Sequence, residues 1–333
     1  MEVESYSNLT ELVTSLLRSN GLPGLQCSAA LQLEDAHNPM GLASSTKTLT
    51  LHLRDDSVLH LFLKVRTDGS QVEQLDKVFS LFARERIMYG TILPMLSKFQ
   101  EENTKDNLEP EFRVGRMFPK YYGAGLVNKD LWLVFENILQ DTGRYVTSKT
   151  DFHTEDQILL CMRQLAVFHS VSYCFQLRSK KKFLEDFPIL EEPVFHPDRC
   201  DHIRFFFQGM FQKHLKIIKV IREEYEANNK TVLSKIERMC SERDLHELTR
   251  RGERLMEAIY DLTQPENLHS VITHGDFHMW NIAFQGRDPP HQAVFFDLQV
   301  SRSCSGVTDI VQYLYQVTST VQYSTVHYST STR

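Results

Sequence analysis

The period of apolar and polar positions changes along this chain and divides it into two kinds of territory. The opening MEVESYSNLTELVTSLL spaces its apolar residues as on one face of an amphipathic helix. Between Leu25 and Val65 the runs LQCSAALQL, TKTLTLHL and VLHLFLKV are short and β-prone, parted by turn formers such as Asp55, Asp56 and Ser57, which predicts an antiparallel meander. Helical spacing returns from Val72 to Phe99 through Val78, Leu81, Phe82, Ile87, Tyr89, Ile92 and Leu93, predicting one long helix interrupted late by Pro94. The polar EENTKDNLEP predicts a loop, and RMFPKYYGAGLV and DLWLVFENI predict two more strands before residue 140.

From Asp156 onward the pattern turns helical. Ile158, Leu159, Met162, Leu165, Ala166 and His169 share one face, and residues 200–228 and 244–262 also favour helix. One β-rich island interrupts this half: Val271 to Phe284, a turn at Pro289 and Pro290, then AVFFDLQ. The closing VTSTVQYSTVHYSTSTR repeats Ser, Thr, Tyr and Val without an apolar face and reads as low-complexity sequence. The expected architecture is α+β, with a β-rich N-terminal part over residues 1–138, a mainly α part over 139–317 and a tail over 318–333.

Composition narrows the function. A 333-residue chain with 41% hydrophobic residues can bury a substantial core, and a net charge of -6 offers no clustered basic excess for nucleic acid. The six cysteines are scattered without CxxC spacing, so reduced, buried thiols are expected rather than a zinc site or a disulfide framework. Acidic residues stand near the N-terminus where a secretory signal needs positive charge, and no window holds the roughly 18 consecutive apolar residues of a membrane span. A cytoplasmic protein with neither nucleic-acid nor membrane partners is the expectation.

The chemistry lies in the β-rich island. His274, Asp276 and Asn281 stand in an HxDxxxxN arrangement: an acid able to orient and deprotonate a hydroxyl, followed five positions later by an amide able to bind a metal. Phosphoryl transfer needs such an arrangement because its anionic transition state requires metal and alignment more than covalent help. Asp297, closing the apolar run Ala293 to Phe296, would be delivered beside Asn281 by a strand hairpin and supplies a second metal-binding oxygen donor.

The N-terminal part supplies a cation. Lys64 sits inside the apolar strand LFLKV, where burial is costly unless an anion faces it, and Glu85 on the long helix is placed to pair with it and hold it toward phosphates. Ser44 and Ser45, in the loop after Gly41, are candidate phosphate contacts, and the backbone at Glu136 and Asn137 is a candidate adenine-binding connector. His169 on an apolar helix reads as a structural residue bonded to backbone or carboxylate. Asp309 reads as a residue that begins a helix and bonds the catalytic-loop backbone. His278 and Trp280, inside the motif, are expected to shape the substrate side rather than to bind metal. No HRD, DFG or APE triplet is present, which disfavours a protein kinase.

Four stretches together carry a resemblance: FLKV with Lys64, FARERIMYGTILPML with Glu85, LAVFHSVSY with His169, and HGDFHMWNIAF followed by FFDLQVSRSCSGVTDIVQYL. From about residue 25 to 318 the chain resembles the insect-type ecdysteroid kinase-like proteins, related to choline kinases and aminoglycoside phosphotransferases. The resemblance implies a bilobal protein-kinase-like fold, ATP, Mg2+ and transfer to a hydroxyl of a small molecule such as a steroid. Family members continue with further C-terminal helices where this chain enters its repetitive tail, so a C-terminally shortened fold is expected. Trp280 stands where many relatives have another asparagine. The alternative is a catalytically silent nucleotide-binding module that keeps the shape without completing the site.

Overall fold

The computed structural model describes residues 2–22, 32–35, 45–52, 58–104, 108–140, 145–146, 153–196, 260–261, 270–286 and 289–317. By packing, the chain divides into two units, Met1–Glu191 with Asn267–Arg333, and Glu192–Glu266. In the second unit, the described Glu192 carboxylate accepts the N–H groups of Val194 and Phe195. The proposed helices of 200–228 and 244–262, apart from residues 260 and 261, and Ser44 lie outside the described residues. All that follows concerns the first unit.

Helix α1 (Glu2–Ser19) precedes strands β1 (Gln32–Asp35), β2 (Ser45–His52) and β3 (Val58–Arg66). After an intervening helical stretch come β4 (Tyr121–Val127) and β5 (Asp130–Glu136), and the five strands form one antiparallel sheet in the order β1-β2-β3-β5-β4. The first three strands are the expected meander; β5 then takes the place beside β3 and leaves β4 at the edge.

Alternation fixes which side chain faces which layer, because successive strand residues point to opposite faces. Leu61, Leu63 and Val65 of β3 pack with Leu49, Leu51, Trp132 and Val134 against Leu9, Val13 and Leu17 of α1. Phe62 therefore faces the opposite layer, packed on a second core with Phe82, Tyr89, Leu133 and Phe135, and Lys64 shares its side of the strand.

The helical stretch departs from one uninterrupted helix. It breaks at Ser80 into α2 (Gln71–Phe79) and α3 (Leu81–Ile87), not at Pro94. Ser80 is left-handed (φ 54°), and the Asp76 carboxylate takes the Phe82 N–H at 2.7 Å, restarting the helix in a new direction. Pro94 is accommodated instead. A π turn at Met88–Ile92 leads into α4 (Leu93–Asn103), and Leu93 N–H reaches back to Met88 O, so the missing proline N–H falls just beyond a widened turn.

The other half of this unit is built on α5 (Glu155–Ser179), opened by a reciprocal capping box between Thr154 and Gln157. By length and composition α5 could span a bilayer. Its buried polar residues Gln164, His169 and Ser172 are all bonded within the protein, as in a core helix. Short α6 (Phe183–Asp186) follows. The β-rich island forms β7 (Val271–Thr273), β8 (Ile282–Gln285) and β9 (Gln292–Phe295), with β8 and β9 paired as the expected hairpin and short β6 (Tyr145–Val146) alongside β8. Strand β10 (Arg302–Cys304) pairs with β7, and a helix over residues 307–317, here α7, ends the described chain.

Among the described cysteines, Cys161 and Cys304 are free and buried, whereas Cys174 is free but exposed because it falls on the outward face of α5. The 138 boundary lies inside the first unit, where the sheet gives way toward α5.

Gln164 joins α5 to the hairpin without any exposure to solvent. Its Nε2 donates to Glu111 O (2.7 Å) and Ala293 O (3.2 Å), while its Oε1 accepts Ala293 N–H (2.9 Å). Gln164→Leu keeps the volume and strands these backbone groups, so urea unfolding is expected to show a loss of about 2 kcal/mol or more. Unchanged stability would mean that the backbone groups find other partners.

Candidate active site

Three charged side chains from three elements meet in the interior. Lys64 Nζ of β3 donates to Glu85 Oε1 (2.8 Å) and Oε2 (3.0 Å) of α3 and to Asp297 Oδ1 (2.8 Å) beyond β9. Lys64 and Glu85 are buried, and Asp297 retains a quarter of its side-chain exposure. Burial alone would drive the proton off Lys64, yet the charges and hydrogen bonds of Asp297 and Glu85 outweigh it and raise the ammonium pKa above the ordinary lysine value. For Glu85 burial is the largest influence and pushes the carboxyl up, with the like charge of Asp297 adding to it and Lys64 opposing.

The segment carrying Asp297 is bent to make this contact. Asp297 has φ 71°, a left-handed conformation that costs a non-glycine residue on the order of 1 kcal/mol. Leu298 N–H donates to the Glu85 carboxylate, and the buried Arg84 guanidinium donates to Ser301 O at 2.9 Å, so neighbouring residues of α3 hold both ends of the bend. Hairpin pairing continues into the site through Phe296 N–H, which donates to Asn281 O at 3.1 Å.

The loop from His274 to Asn281 forms a second group. Asp276 Oδ1 accepts from Gln312 Nε2 (2.9 Å), while Oδ2 lies 3.2 Å from His278 Nε2 and 3.3 Å from Asn281 Nδ2. Burial opposes the charge on Asp276, but the hydrogen bond and charge of His278, aided by Gln312, prevail and hold the carboxyl below the ordinary aspartate value. The side chain is 35% exposed, so this ionised oxygen pair is open to a ligand.

His274 is buried between Phe296 O, which its Nε2 approaches at 3.0 Å, and the Asp276 N–H, which faces its Nδ1 at 3.3 Å. Those partners require a neutral ring with the proton on Nε2, in agreement with a pKa that burial pushes down. Gly275 adopts φ 86°, and a Cβ there would lie 2.1 Å from Val300 O, so glycine is required at this turn.

Asp309 of α7 anchors the loop. It is fully buried and accepts His274 N–H (2.7 Å), Gly275 N–H (2.9 Å) and a contact from His169 Nε2 (3.0 Å). His169 is thus a carboxylate-bonded core histidine. Burial raises the Asp309 pKa, and the His169 bond and the loop N–H bonds more than reverse this, leaving it lowered.

The remaining candidates sit elsewhere in the bonding pattern. Ser45 is exposed at the start of β2, opposite Val65. Glu136 N–H donates to Lys120 O and Asn137 N–H to His60 O, while the Asn137 side chain bonds Gln140 and Leu139 N–H. Among the described residues no hydrogen bond joins Ser45, Glu136 or Asn137 to the charged cluster. The sequence reading did not single out Gln312 or Arg84; Gln312 was detectable only as the residue one helical step beyond Asp309.

The site fits a metal-bound nucleotide. Asn281 turns its Nδ2 toward Asp276, which leaves Oδ1 as an oxygen donor, and Asp297 Oδ2 has, among the described residues, a long 3.5 Å contact from Gln299. Among the described residues no group of three or more His, Cys, Asp and Glu forms a self-sufficient metal site. Two hard oxygens matched to an ion that keeps water and phosphate in its remaining positions is the donor set Mg2+ favours.

An antiparallel sheet bearing a lysine clamped by a helical glutamate, with an HxDxxxxN loop and a hairpin aspartate on the helical side, defines a protein-kinase-like α+β fold. The chain belongs to the ecdysteroid kinase-like family, whose model matches residues 44–327. Among solved structures it is similar to an amicoumacin kinase, hAmiN, in complex with AMP-PNP, Ca2+ and Ami, at 12% identity and a TM-score of 0.40. That similarity takes in 86% of this chain and 64% of the other's length. No curated protein matches the sequence.

Asp309→Asn tests the anchor. A carboxyl whose folded pKa lies below its ordinary 3.8 contributes stability that is complete above that value and is lost as pH falls through the folded pKa. At neutral pH the variant is expected to lose on the order of 3 kcal/mol in urea unfolding, and the gap from wild type should narrow below the ordinary carboxyl range. A gap independent of pH would contradict a charged anchor.

Proposed function

We propose that this protein transfers the γ-phosphoryl group of ATP to a hydroxyl of a small molecule. The observation that carries the proposal is Lys64 Nζ held within 3.0 Å of both Glu85 and Asp297. A buried lysine flanked by two carboxylates leaves a net negative site, which favours a nucleotide only together with a divalent cation. Family membership supports the same class of chemistry.

In this reading Asn281 and Asp297 would hold Mg2+, which when bound supplies charge neutralisation at the phosphates. Lys64 donates to α- and β-phosphate oxygens, and Glu85 keeps its ammonium oriented. Asp276 accepts the proton of the acceptor hydroxyl as that oxygen bonds to the γ-phosphorus. The bond from phosphorus to the β–γ bridging oxygen breaks, and ADP departs with the electron pair. Ser45 and the backbone at Glu136 and Asn137 would contact the nucleotide in this reading.

A steroid-like alcohol is the favoured acceptor. Trp280 is 51% exposed inside the catalytic loop, with its ring 5.6 Å from that of His278, which contacts Asp276. A half-open indole beside the base suits a flat apolar body bearing a hydroxyl.

Screening hydroxylated compounds, sterols included, for ATP-dependent phosphate incorporation identifies the acceptor. With that acceptor, Asp276→Ala is expected to lower turnover by about 10²- to 10⁴-fold, with ATP affinity by calorimetry near wild type. Turnover at the wild-type rate would remove Asp276 from the chemistry. A wild-type chain that binds no ATP in the presence of Mg2+ would overturn the kinase reading.

A further inference from the structure

Helix α7 runs beside the catalytic loop and contacts it in chain order along one stripe. Residues three and four apart share a helix face, and Asp309, Gln312 and Gln316 follow that spacing. Asp309 takes His274 and Gly275 N–H, Gln312 reaches Asp276 Oδ1, and Gln316 Oε1 lies 3.4 Å from Met279 N. The opposite face presents Val307, Val311 and Tyr315 outward, each more than half exposed. The stripe toward the loop is therefore polar, beside a separate apolar stripe of Ile310, Tyr313, Leu314 and Val317 that packs on the core.

Of these contacts, the one from Gln312 reaches a side chain rather than backbone. Among the described residues its 2.9 Å bond is the shortest to the Asp276 carboxylate; the His278 and Asn281 contacts, both to Oδ2, are 3.2 and 3.3 Å. Gln312 holds Oδ1 from outside the loop while His278 and Asn281 hold Oδ2 from within it, so the Gln312 bond is the contact that sets how the carboxylate is turned relative to α7. His278 and Asn281 belong to the loop itself and move with Asp276. Gln312 belongs to a different element, anchored through buried Asp309, Tyr313 and Val317.

We infer that Gln312, through its hydrogen bond to Asp276 Oδ1, is a positioning residue that orients the proton-accepting carboxylate toward the acceptor. The inference rests on the phosphotransfer reading and extends it to a residue outside the HxDxxxxN motif. Gln312 touches neither nucleotide nor acceptor in this account, so its removal acts on turnover and not on nucleotide affinity.

The test uses the full chain with Mg2+-ATP and water as the acceptor, following phosphate release from radiolabelled nucleotide. Gln312→Met keeps the volume without the donor, and Gln312→Glu keeps the shape without the donor. Both are expected to lower kcat by about 10- to 100-fold, with ATP Kd by calorimetry and the thermal midpoint unchanged. In an Asp276→Asn background the same substitutions are expected to change the residual rate less than about twofold, because a residue that acts through another adds nothing once that partner is gone.

Wild-type kcat in both variants overturns the inference, as does an equally deep loss in the Asp276→Asn background or a parallel loss of ATP affinity. These outcomes leave the phosphotransfer reading standing. Failure of the wild type to release phosphate while it binds Mg2+-ATP overturns the inference alone; the phosphotransfer reading falls with it only if the chain binds no ATP.

Discussion

The buried ammonium of Lys64 joins the sheet to the helical half. Lys64 is almost wholly withdrawn from water, so its charge is tolerable only while Glu85 and Asp297 stay within hydrogen-bonding distance. That requirement reaches into several elements at once. It needs β3 to turn Lys64 away from α1, α3 to restart at Ser80 so that Glu85 faces the sheet, and the segment after β9 to adopt a left-handed bend at Asp297. Removing either carboxylate would leave an interior charge imbalance, which is strongly destabilising where desolvation is large.

The same logic organises the loop from His274 to Asn281. Backbone N–H groups at a glycine turn need acceptors, and the buried Asp309 supplies both oxygens to His274 and Gly275. Because His274 also bonds Phe296 O, the loop is tied to the segment that delivers Asp297. The two charged groups, one around Lys64 and one around Asp276, are thus linked through short backbone connections. Rigid placement of this kind matters for phosphoryl transfer, where alignment and charge stabilisation carry most of the catalysis.

Much of the fold was legible because period and burial leave direct marks. Residues 46–52, 58–65 and 130–136 of the expected runs lie in strands of one sheet, and Ile282–Phe284 with Ala293–Phe296 becomes the hairpin around β8 and β9. Lys64 and Glu85 stood out because a lysine within LFLKV needs an anion, and the glutamate 21 residues later is one of the two it meets. The helix break was not legible: Pro94 is a strong local signal, but the π turn absorbs it, while Ser80 breaks the helix through the Asp76 side chain, a tertiary choice with no distinctive composition. Gln312 was hidden for a similar reason. A glutamine between Val311 and Tyr313 looks like any half-exposed helical residue until the loop it faces is in place.

The central claim is that Lys64, Asn281 and Asp297 form one nucleotide site completed by a divalent cation. Calorimetric titration of the full chain with ATP, with and without Mg2+, tests it most directly. Saturable binding that weakens at least about tenfold when the metal is chelated, roughly 1.4 kcal/mol, is the predicted result. Binding of equal strength with and without metal, or no binding in its presence, would contradict the account.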